Sequence, residues 1–197
     1  MKGMKEFIGK ICSLDNIHQW EERDSVIRES VSQHSYKVAA ICHYILHDIE
    51  LQANAVELYK HEDMRVKFLN FRYQCLSYAI MHDFDESILG RDISHILKYN
   101  KLNGDVIRKA LDEYVAETTR GKYEGVYVTP CYEVKTFVKL CDWIALYTFI
   151  KRNNRMGVKT FKKEKAYCWE NIESKIAEVK KVLTGMFDYD FSIKVNL

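Results

Sequence analysis

The sequence contains very little proline and glycine: one proline and eight glycines among 197 residues. A β-sandwich or β-barrel needs many tight turns, and these two residue types form a large share of them. Their scarcity therefore favours helices. Apolar residues account for 47% of the chain and charged residues for 29%, the ordinary balance of a globular domain. We predict an all-α fold, and a chain of this length fits one domain.

The sequence also lacks a large net charge and a long apolar run. Its formal net charge is +2, which gives no general electrostatic reason to bind a nucleic acid polymer or an anionic membrane. No stretch approaches about 18 uninterrupted apolar residues, the length of a membrane span. The N-terminal residues hold no apolar run suited to a signal peptide. We expect a cytoplasmic protein without membrane or nucleic acid partners.

None of the six cysteines belongs to a Cys-x-x-Cys pair, a spacing typical of zinc and redox sites. Several fall on the apolar faces of predicted helices, where a free thiol behaves as a small hydrophobic side chain. A reducing cytoplasm agrees with this pattern. The cysteines that we predict to be buried thiols are Cys12, Cys42, Cys75, Cys131, Cys141 and Cys168.

Apolar residues at helical spacing predict a series of helices along the chain. They cover residues 4–14, a helix from Ser30, a helix from about 68 to 81, residues 93–101, residues 106–118, a helix from Pro130, and a last helix that Gly185 ends. Ser30 and Gln33 fit the capping-box pattern, in which two side chains bond each other's backbone amides. Residues 121–129 predict a loop or short hairpin, and residues 186–197 a strand or an extended arm.

Helical phase separates inward-facing from outward-facing histidines, because successive residues of a helix rotate by about 100°. His34 lies four residues before Val38 and seven before Ile41, within the apolar stripe of its helix. His43 and His47 lie nearly opposite that stripe. We expect His34 to point inward. The other two are expected to face water, although their His-x-x-x-His spacing can bind a metal.

The same test indicates further inward-facing polar residues. His82 continues the buried stripe of its helix and precedes Asp83, while Asp142 lies at the edge of an apolar helical face. A carboxylate in such a position is costly to desolvate unless it is paired or bound to a metal. Each residue alone could be a hydrogen-bonded core residue. Together with His34 they offer two imidazoles and two carboxylates, which suit a divalent transition metal.

The order of His34, His82-Asp83 and Asp142 resembles the HD-domain phosphohydrolase superfamily, and within it the bacterial 5′-deoxynucleotidases and their phage-encoded relatives. Matching runs extend from about residue 19 to 157; they include Trp20, 29–35, 82–86, 90–92, 98–99 and 138–142. The resemblance implies a single HD-domain helical bundle over residues 1–197. Its core would cover about 17–157, with a C-terminal helix at about 158–184 packed on it and a tail at 186–197.

The resemblance also implies a role for each matching residue. Glu86 would orient or deprotonate the attacking water, and Asp92 would act as an acid near the leaving oxygen. The ligands of a divalent ion (manganese, cobalt, zinc or similar) would be His34, His82, Asp83 and Asp142. The residues implied to contact the nucleotide substrate are Gln19, Trp20, Arg91, Lys98 and Lys139. A homodimer is implied as well.

Two positions depart from the family pattern. The family usually has arginine immediately before the tryptophan, where this chain has Gln19, so a bidentate contact to phosphate or sugar is missing. Arg91 is an extra residue between Gly90 and Asp92. It either displaces Asp92 or supplies the positive charge lost at residue 19.

The leading hypothesis is a 5′-deoxynucleotidase that converts deoxynucleoside 5′-monophosphates to deoxynucleosides and phosphate. One alternative is a deoxynucleoside triphosphate triphosphohydrolase, similar to the small phage enzymes that remove dATP, which releases tripolyphosphate. Arg23, Arg91 and Lys98 would help to hold its longer phosphate tail. The other is a non-catalytic nucleotide-binding protein that keeps the metal ligands without turnover; the changes at residues 19 and 91 favour it.

Overall fold

The computed structural model describes residues 2–19, 25–90 and 130–195, together with residues 106, 109, 110, 113, 114 and 117. Its helices are α1 (Lys2–Ser13), α2 (Val31–Ala55), α3 (Glu62–Met81), α4 (Phe84–Leu89), α5 (Tyr132–Arg155) and α6 (Lys162–Phe187). Short 3-10 turns follow α1 at Leu14–Asn16 and α2 at Leu58–Lys60. These residues form no β-strand, and one isolated antiparallel bridge pairs His18 with Ser30. The predicted all-α fold is confirmed.

The chain divides into two compact units. The first unit comprises Met1–Ser35 and Met81–Val128, and the second comprises Tyr36–Ile80 and Thr129–Leu197. Each unit is assembled from two stretches that lie far apart in sequence. The single domain over the whole chain therefore stays a prediction.

The first unit is built around the end of α1. Leu14, Ile17 and Val31 form a buried apolar cluster, against which the partly buried Ile11 packs. The inner face of this segment thus includes Ile11 and Leu14, whereas Ile8 is exposed.

The core of the second unit contains α5. Fourteen of its 24 residues are buried, so this helix is covered on most sides rather than along one stripe. α6 packs against it through pairs of aromatic rings. The ring centroids of Trp143 and Tyr167 lie 5.7 Å apart, and the Tyr132 hydroxyl donates a hydrogen bond to Glu178 Oε1 at 2.6 Å. The C-terminal helix therefore packs on α5 within this unit.

Two predicted helix ends were wrong by two residues each. α5 begins at Tyr132 rather than at Pro130, because Cys131 has an extended backbone (φ −65°, ψ 168°) at the position before the helix. α6 continues past Gly185 to Phe187, whose ring is buried. Burial of this ring stabilises two further helical residues. A glycine predicts a helix end from the local sequence alone and does not indicate such a tertiary contact.

The segment after α6 is an extended arm as far as Val195, with no strand in residues 188–195. Phe191 and Ile193 are buried. Between them, the Ser192 backbone bonds twice to the Gln52 side chain: its N–H donates to Oε1 and its C=O accepts from Nε2, both at 2.8 Å. Of the two predictions for this tail, the structure supports the arm.

Four of the six cysteines are buried free thiols, as predicted. Cys12 and Cys131 are exposed, so the prediction was wrong for these two. Cys12 lies on the solvent side of α1, and Cys131 precedes the first turn of α5. Neither position places the thiol on the core-facing side of a helix.

Other predictions fall partly outside the part of the chain that the structure describes. The helix predicted at residues 93–101 and the loop at 121–129 lie outside it. All six described residues between 106 and 117 are helical, in agreement with the helix predicted at 106–118. Within the described residues, no helix combines the length and the apolar character needed to cross a membrane.

Candidate metal centre

The start of α2 is fixed by the predicted capping box. The Ser30 N–H donates to Gln33 Oε1 at 3.1 Å, and the Gln33 N–H donates to Ser30 Oγ at 3.3 Å. The next amide, that of His34, donates to the Ser30 carbonyl at 2.9 Å. The two capping-box bonds satisfy amides that have no intrahelical partner, and the His34 bond is the first of the helix; together they define where α2 begins and hence the phase of His34. Its imidazole is buried, as predicted.

Backbone bonds also tie the chain before α2 to the segment after α1. The Val31 N–H donates to the Ile17 carbonyl, and the Gln19 N–H donates to the Glu29 carbonyl, both at 2.8 Å. The two segments pair in antiparallel fashion for a short distance. The first turn of α2, which carries His34, is therefore anchored at its base.

α3 ends at Met81, and His82 and Asp83 occupy the turn before α4. The end predicted for this helix, Met81, is thus confirmed, and Glu86 lies on the separate helix α4. Asp83 has φ −111° and ψ 20° at the N-cap position of α4, and its side chain does not cap that helix.

Three predicted ligand side chains meet in the first unit. Asp83 Oδ2 lies 3.1 Å from His82 Nε2 and 4.0 Å from His34 Nε2, and the two imidazole centroids are 5.6 Å apart. One potential ligand atom from each residue lies within 4.8 Å of those of the other two. The side chains are 4–14% exposed, so water still reaches the carboxylate.

This group has the chemistry and the spacing that a divalent transition ion requires. Imidazole nitrogen and carboxylate oxygen both bind zinc at about 2.0–2.2 Å, so two ligands of a tetrahedral ion lie about 3.3 Å apart. The distances from Asp83 Oδ2, 3.1 and 4.0 Å, bracket that value. Small side-chain movements would bring His34, His82 and Asp83 into coordination distance. The donor set therefore fits such an ion.

Glu86 lies on α4, three residues after Asp83, and its side chain is fully buried. Its N–H donates to the Asp83 carbonyl and to Asp85 Oδ1, both at 3.1 Å. Burying a carboxylate is unfavourable unless charges or donors compensate for the lost hydration. Glu86 is a buried carboxylate one helical turn from the three potential metal ligands, which makes it a candidate to accept or donate a proton in catalysis.

α1 holds α4 in place. The rings of Phe7 and Phe84 lie 5.5 Å apart, and Lys10 Nζ donates a hydrogen bond to the Ser87 carbonyl at 3.2 Å. Lys10 is not among the predicted site residues. A signal was present, since Lys10 lies three residues after Phe7 and four before Leu14, at the helical spacing of the inner face.

Asp142 and Lys139, both predicted site residues, belong to the second unit and lie on α5. Lys139 Nζ is 2.6 Å from Asp142 Oδ2 and 5.1 Å from the centroid of the Trp143 ring. The ammonium group thus compensates the charge of the predicted fourth ligand. The role of Lys139 at the phosphate and that of Asp142 at the metal both stay predictions.

The remaining predicted site residues divide into two groups. Gln19 is partly buried, and His43 and His47 are exposed, as expected for these two histidines. The predicted residues that lie outside the described ranges are Trp20, Arg23, Arg91, Asp92 and Lys98.

Comparison with known proteins identifies the family. The family model described as 5′-deoxynucleotidase YfbR-like matches residues 6–189. Among solved structures, the crystal structure of an HD-domain phosphohydrolase from Listeria innocua is similar, with a TM-score of 0.62 and 17% sequence identity. The match covers 94% of this chain and 90% of that one, and at this identity it supports the fold alone. No curated protein sequence matches significantly.

These matches confirm the predicted family, the HD-type all-α fold and phosphohydrolase activity of the 5′-deoxynucleotidase type. No finding favours the triphosphohydrolase alternative over it. The chain belongs to the YfbR-like 5′-deoxynucleotidase family.

Proposed function

We propose that the protein hydrolyses deoxynucleoside 5′-monophosphates with the help of a divalent ion held by His34, His82, Asp83 and Asp142. Family membership supports the reaction, and the meeting of the first three residues supports the ion-binding site. The close approach of Asp83 to both imidazoles is the observation that carries the proposal. The assignment of Asp142 rests on the order of the motif in the sequence.

In the proposed mechanism, Glu86 accepts a proton from a water molecule that attacks phosphorus. The bond between phosphorus and O5′ then breaks, and Asp92 supplies a proton to the leaving O5′. When bound, a divalent ion lowers the pKa of water from 15.7 toward about 7 and polarises a phosphoryl oxygen. Because Glu86 is buried and its helix is held by α1, it needs little reorganisation to take the proton.

Lys139 has two functions in this proposal. Before substrate binds, its ammonium group balances the charge of Asp142, from which it is separated by 2.6 Å. When substrate is present, the ammonium group contacts the phosphate, since its long side chain can turn without moving the backbone. Phosphoryl transfer depends mainly on positioning and on neutralising the charge of the phosphate. The substrate contacts proposed from the family pattern are Gln19, Trp20, Arg91 and Lys98.

The decisive test measures phosphate release from a panel of deoxynucleoside and ribonucleoside monophosphates, with Mn²⁺, Co²⁺ or Zn²⁺ added to chelator-treated protein. We expect orthophosphate from the deoxy substrates and none after Asp83→Asn. Asp48→Asn is the matched control, because His47-Asp48 is a second His-Asp dipeptide on the exposed face of α2. Wild-type turnover is expected for that variant.

The same assay separates the other candidates. Release of tripolyphosphate from deoxynucleoside triphosphates, with no orthophosphate from monophosphates, would replace the proposal with the triphosphohydrolase. Nucleotide binding in calorimetry without turnover under any of the three metals would indicate a non-catalytic protein. A homodimeric, cytoplasmic enzyme is also proposed, from the family resemblance.

A further inference from the structure

Positive charge is concentrated where α5 ends and α6 begins. The stretch from residue 151 to residue 165 has a formal net charge of +6, so the rest of the chain carries −4. The overall value of +2 averages over this uneven distribution. We call residues 151–165 the basic turn. Its cations are Lys151, Arg152, Arg155, Lys159, Lys162, Lys163 and Lys165.

Packing within the second unit gathers these cations around one connection between two helices. Phe161, which immediately precedes α6, is fully buried, and its ring lies 6.0 Å from that of Phe149 on α5. The Val158 N–H donates a hydrogen bond to the carbonyl of the buried Asn153 at 3.2 Å. Gly157 has a φ of 92°, a conformation that favours glycine. The connection is therefore tied to α5, and the cations around it share one surface.

Most of these cations are open to solvent. Five of the seven are exposed, and Lys151 and Lys165 are partly buried. Lys165 Nζ lies 5.9 Å from the centroid of the Tyr147 ring. Among the residues that the structure describes, no carboxylate forms an ion pair with any of the seven. Their charge is therefore available to a partner.

Helix stability explains only some of these positions. Arg152 and Arg155 lie in the last turn of α5, where a cation interacts favourably with the helix dipole. Lys162 and Lys163 lie at the start of α6, where the dipole is positive and a cation is unfavourable. These two lysines break a rule that favours stability. Such exceptions are expected at functional sites.

An accessible aromatic residue lies beside these lysines. Tyr167 follows Lys163 by four positions, so the two side chains are neighbours on the surface of α6. Tyr167 is 46% exposed, and its ring meets that of the buried Trp143 edge-on, with the centroids 5.7 Å apart. This contact limits the movement of the tyrosine ring. Cations for phosphates beside an aromatic ring for bases are the combination that binds single-stranded nucleic acid.

We propose that the basic turn and Tyr167 bind single-stranded nucleic acid, with phosphates on the lysines and arginines and a base stacked on the tyrosine. A membrane surface fits less well. Segments that lie in a membrane interface insert an apolar face, and Met156 is the one large apolar side chain that the basic turn exposes.

The proposed partner has a chemical relation to the proposed substrate. Hydrolysis of the phosphodiester bonds of DNA is a class of reaction that yields deoxynucleoside monophosphates. An enzyme bound to DNA would therefore be close to a source of its substrate. This consequence rests on the proposed function, whereas the binding itself is measured without turnover.

Fluorescence anisotropy with a labelled deoxythymidine 20-mer tests the binding. The oligomer ends in a 5′-hydroxyl, and the protein is treated with chelator, so that no hydrolysis takes place. Neutralising phosphates releases counterions, about 0.7 per contact on a single strand. With about six contacts, the dissociation constant should rise about 300-fold between 50 and 200 mM salt.

The double variant Lys162→Gln/Lys163→Gln tests the position of the site. Loss of two phosphate contacts should raise the dissociation constant about 25-fold at 100 mM salt and weaken its salt dependence by about a third. Lys180→Gln/Lys181→Gln is the matched control, because it removes the same charge about 27 Å further along α6; it should bind as wild type does. The first variant should not lower Tm, since it removes two cations from the positive end of a helix.

Tyr167 separates nucleic acid from other polyanions. Tyr167→Ala should weaken binding about tenfold without changing the salt dependence, because base stacking does not release counterions. Tyr167→Phe should bind as wild type does. Circular dichroism checks that each variant is folded.

Three results would overturn the proposal. The first is an oligomer affinity that is the same in both double variants. The second is full affinity in folded Tyr167→Ala protein, which would indicate a site for polyanions without base contacts. The third is binding to vesicles of phosphatidylserine and phosphatidylcholine with no binding of the oligomer, which would indicate a membrane surface instead.

Discussion

Replacing Asp83 with asparagine tests the candidate metal centre with little change of shape. The substitution removes the carboxylate whose Oδ2 lies 3.1 Å from His82 Nε2 and 4.0 Å from His34 Nε2. An amide carries no negative charge, so it is a weaker ligand for a divalent ion. The variant is expected to fold and to lose most of the stabilisation that metal gives to the wild-type protein.

The size of that loss follows from binding linkage. A metal present at about 100 times its dissociation constant stabilises the folded state by about 2.7 kcal/mol. In a chain of about 200 residues, this corresponds to a rise in Tm of roughly 5–11 °C. Removing a group that only orients a metal ligand lowers the affinity for the metal by about 10–100-fold, so removing a ligand itself should lower it by at least about 100-fold. At the same metal concentration the remaining stabilisation is about 0.4 kcal/mol, or roughly 1–2 °C.

Thermal unfolding followed by fluorescence, with chelator and then with added Mn²⁺, Co²⁺ or Zn²⁺, measures both shifts. Asp48→Asn is again the control, because Asp48 is exposed on α2, and it should show the wild-type shift. If Asp83→Asn protein keeps the full metal-induced rise in Tm, then His34, His82 and Asp83 do not form the metal site.

Three further outcomes are expected. Lys139→Met should strengthen metal binding about tenfold in chelator competition, because the ammonium group 2.6 Å from Asp142 Oδ2 competes for the proposed ligand; weaker binding would contradict this. Glu178→Gln should cost less than about 1 kcal/mol of unfolding free energy in urea at pH 7. Its cost should shrink below pH 4.5, because the hydrogen bond from Lys175 lowers the pKa of Glu178 and the stabilisation is lost as pH falls through that lower pKa; a cost that grows in acid would contradict the sign. Two thiols should react rapidly with Ellman's reagent in native protein and six in denaturant, because four are buried and burial raises the pKa of Cys168 to about 12; a third fast native thiol would contradict the burial.

The position of His34 could be predicted because it depends on local structure. The capping box of Ser30 and Gln33 fixes the first turn of α2, and from there helical phase determines which side chains point inward. Both signals lie within a few residues of the histidine. The same holds for the exposed His43 and His47.

The helix that carries Glu86 could not be predicted in this way. Its place depends on the contacts of α4 with α1, where the Lys10 ammonium group binds the carbonyl of a residue 77 positions away. Periodic patterns in the sequence do not indicate contacts between residues that lie so far apart in the chain. The end of α6 is a similar case, since burial of Phe187 carries the helix beyond Gly185.

The two His-Asp dipeptides show why the break between α3 and α4 matters for the chemistry. On a continuous helix, adjacent side chains diverge by about 100° and do not face each other. His47 and Asp48 lie within α2, both are exposed, and His47 Nδ1 approaches Glu50 at 3.9 Å.

His82 and Asp83 lie where α3 has ended and α4 has not begun, and the backbone of Asp83 leaves helical geometry there. The carboxylate can therefore turn back to within 3.1 Å of the preceding imidazole. A helix running unbroken through this point would direct the two side chains apart. The interruption between α3 and α4 is thus what allows neighbouring residues to act as two ligands of one ion, and the dipeptide alone, as in α2, does not suffice.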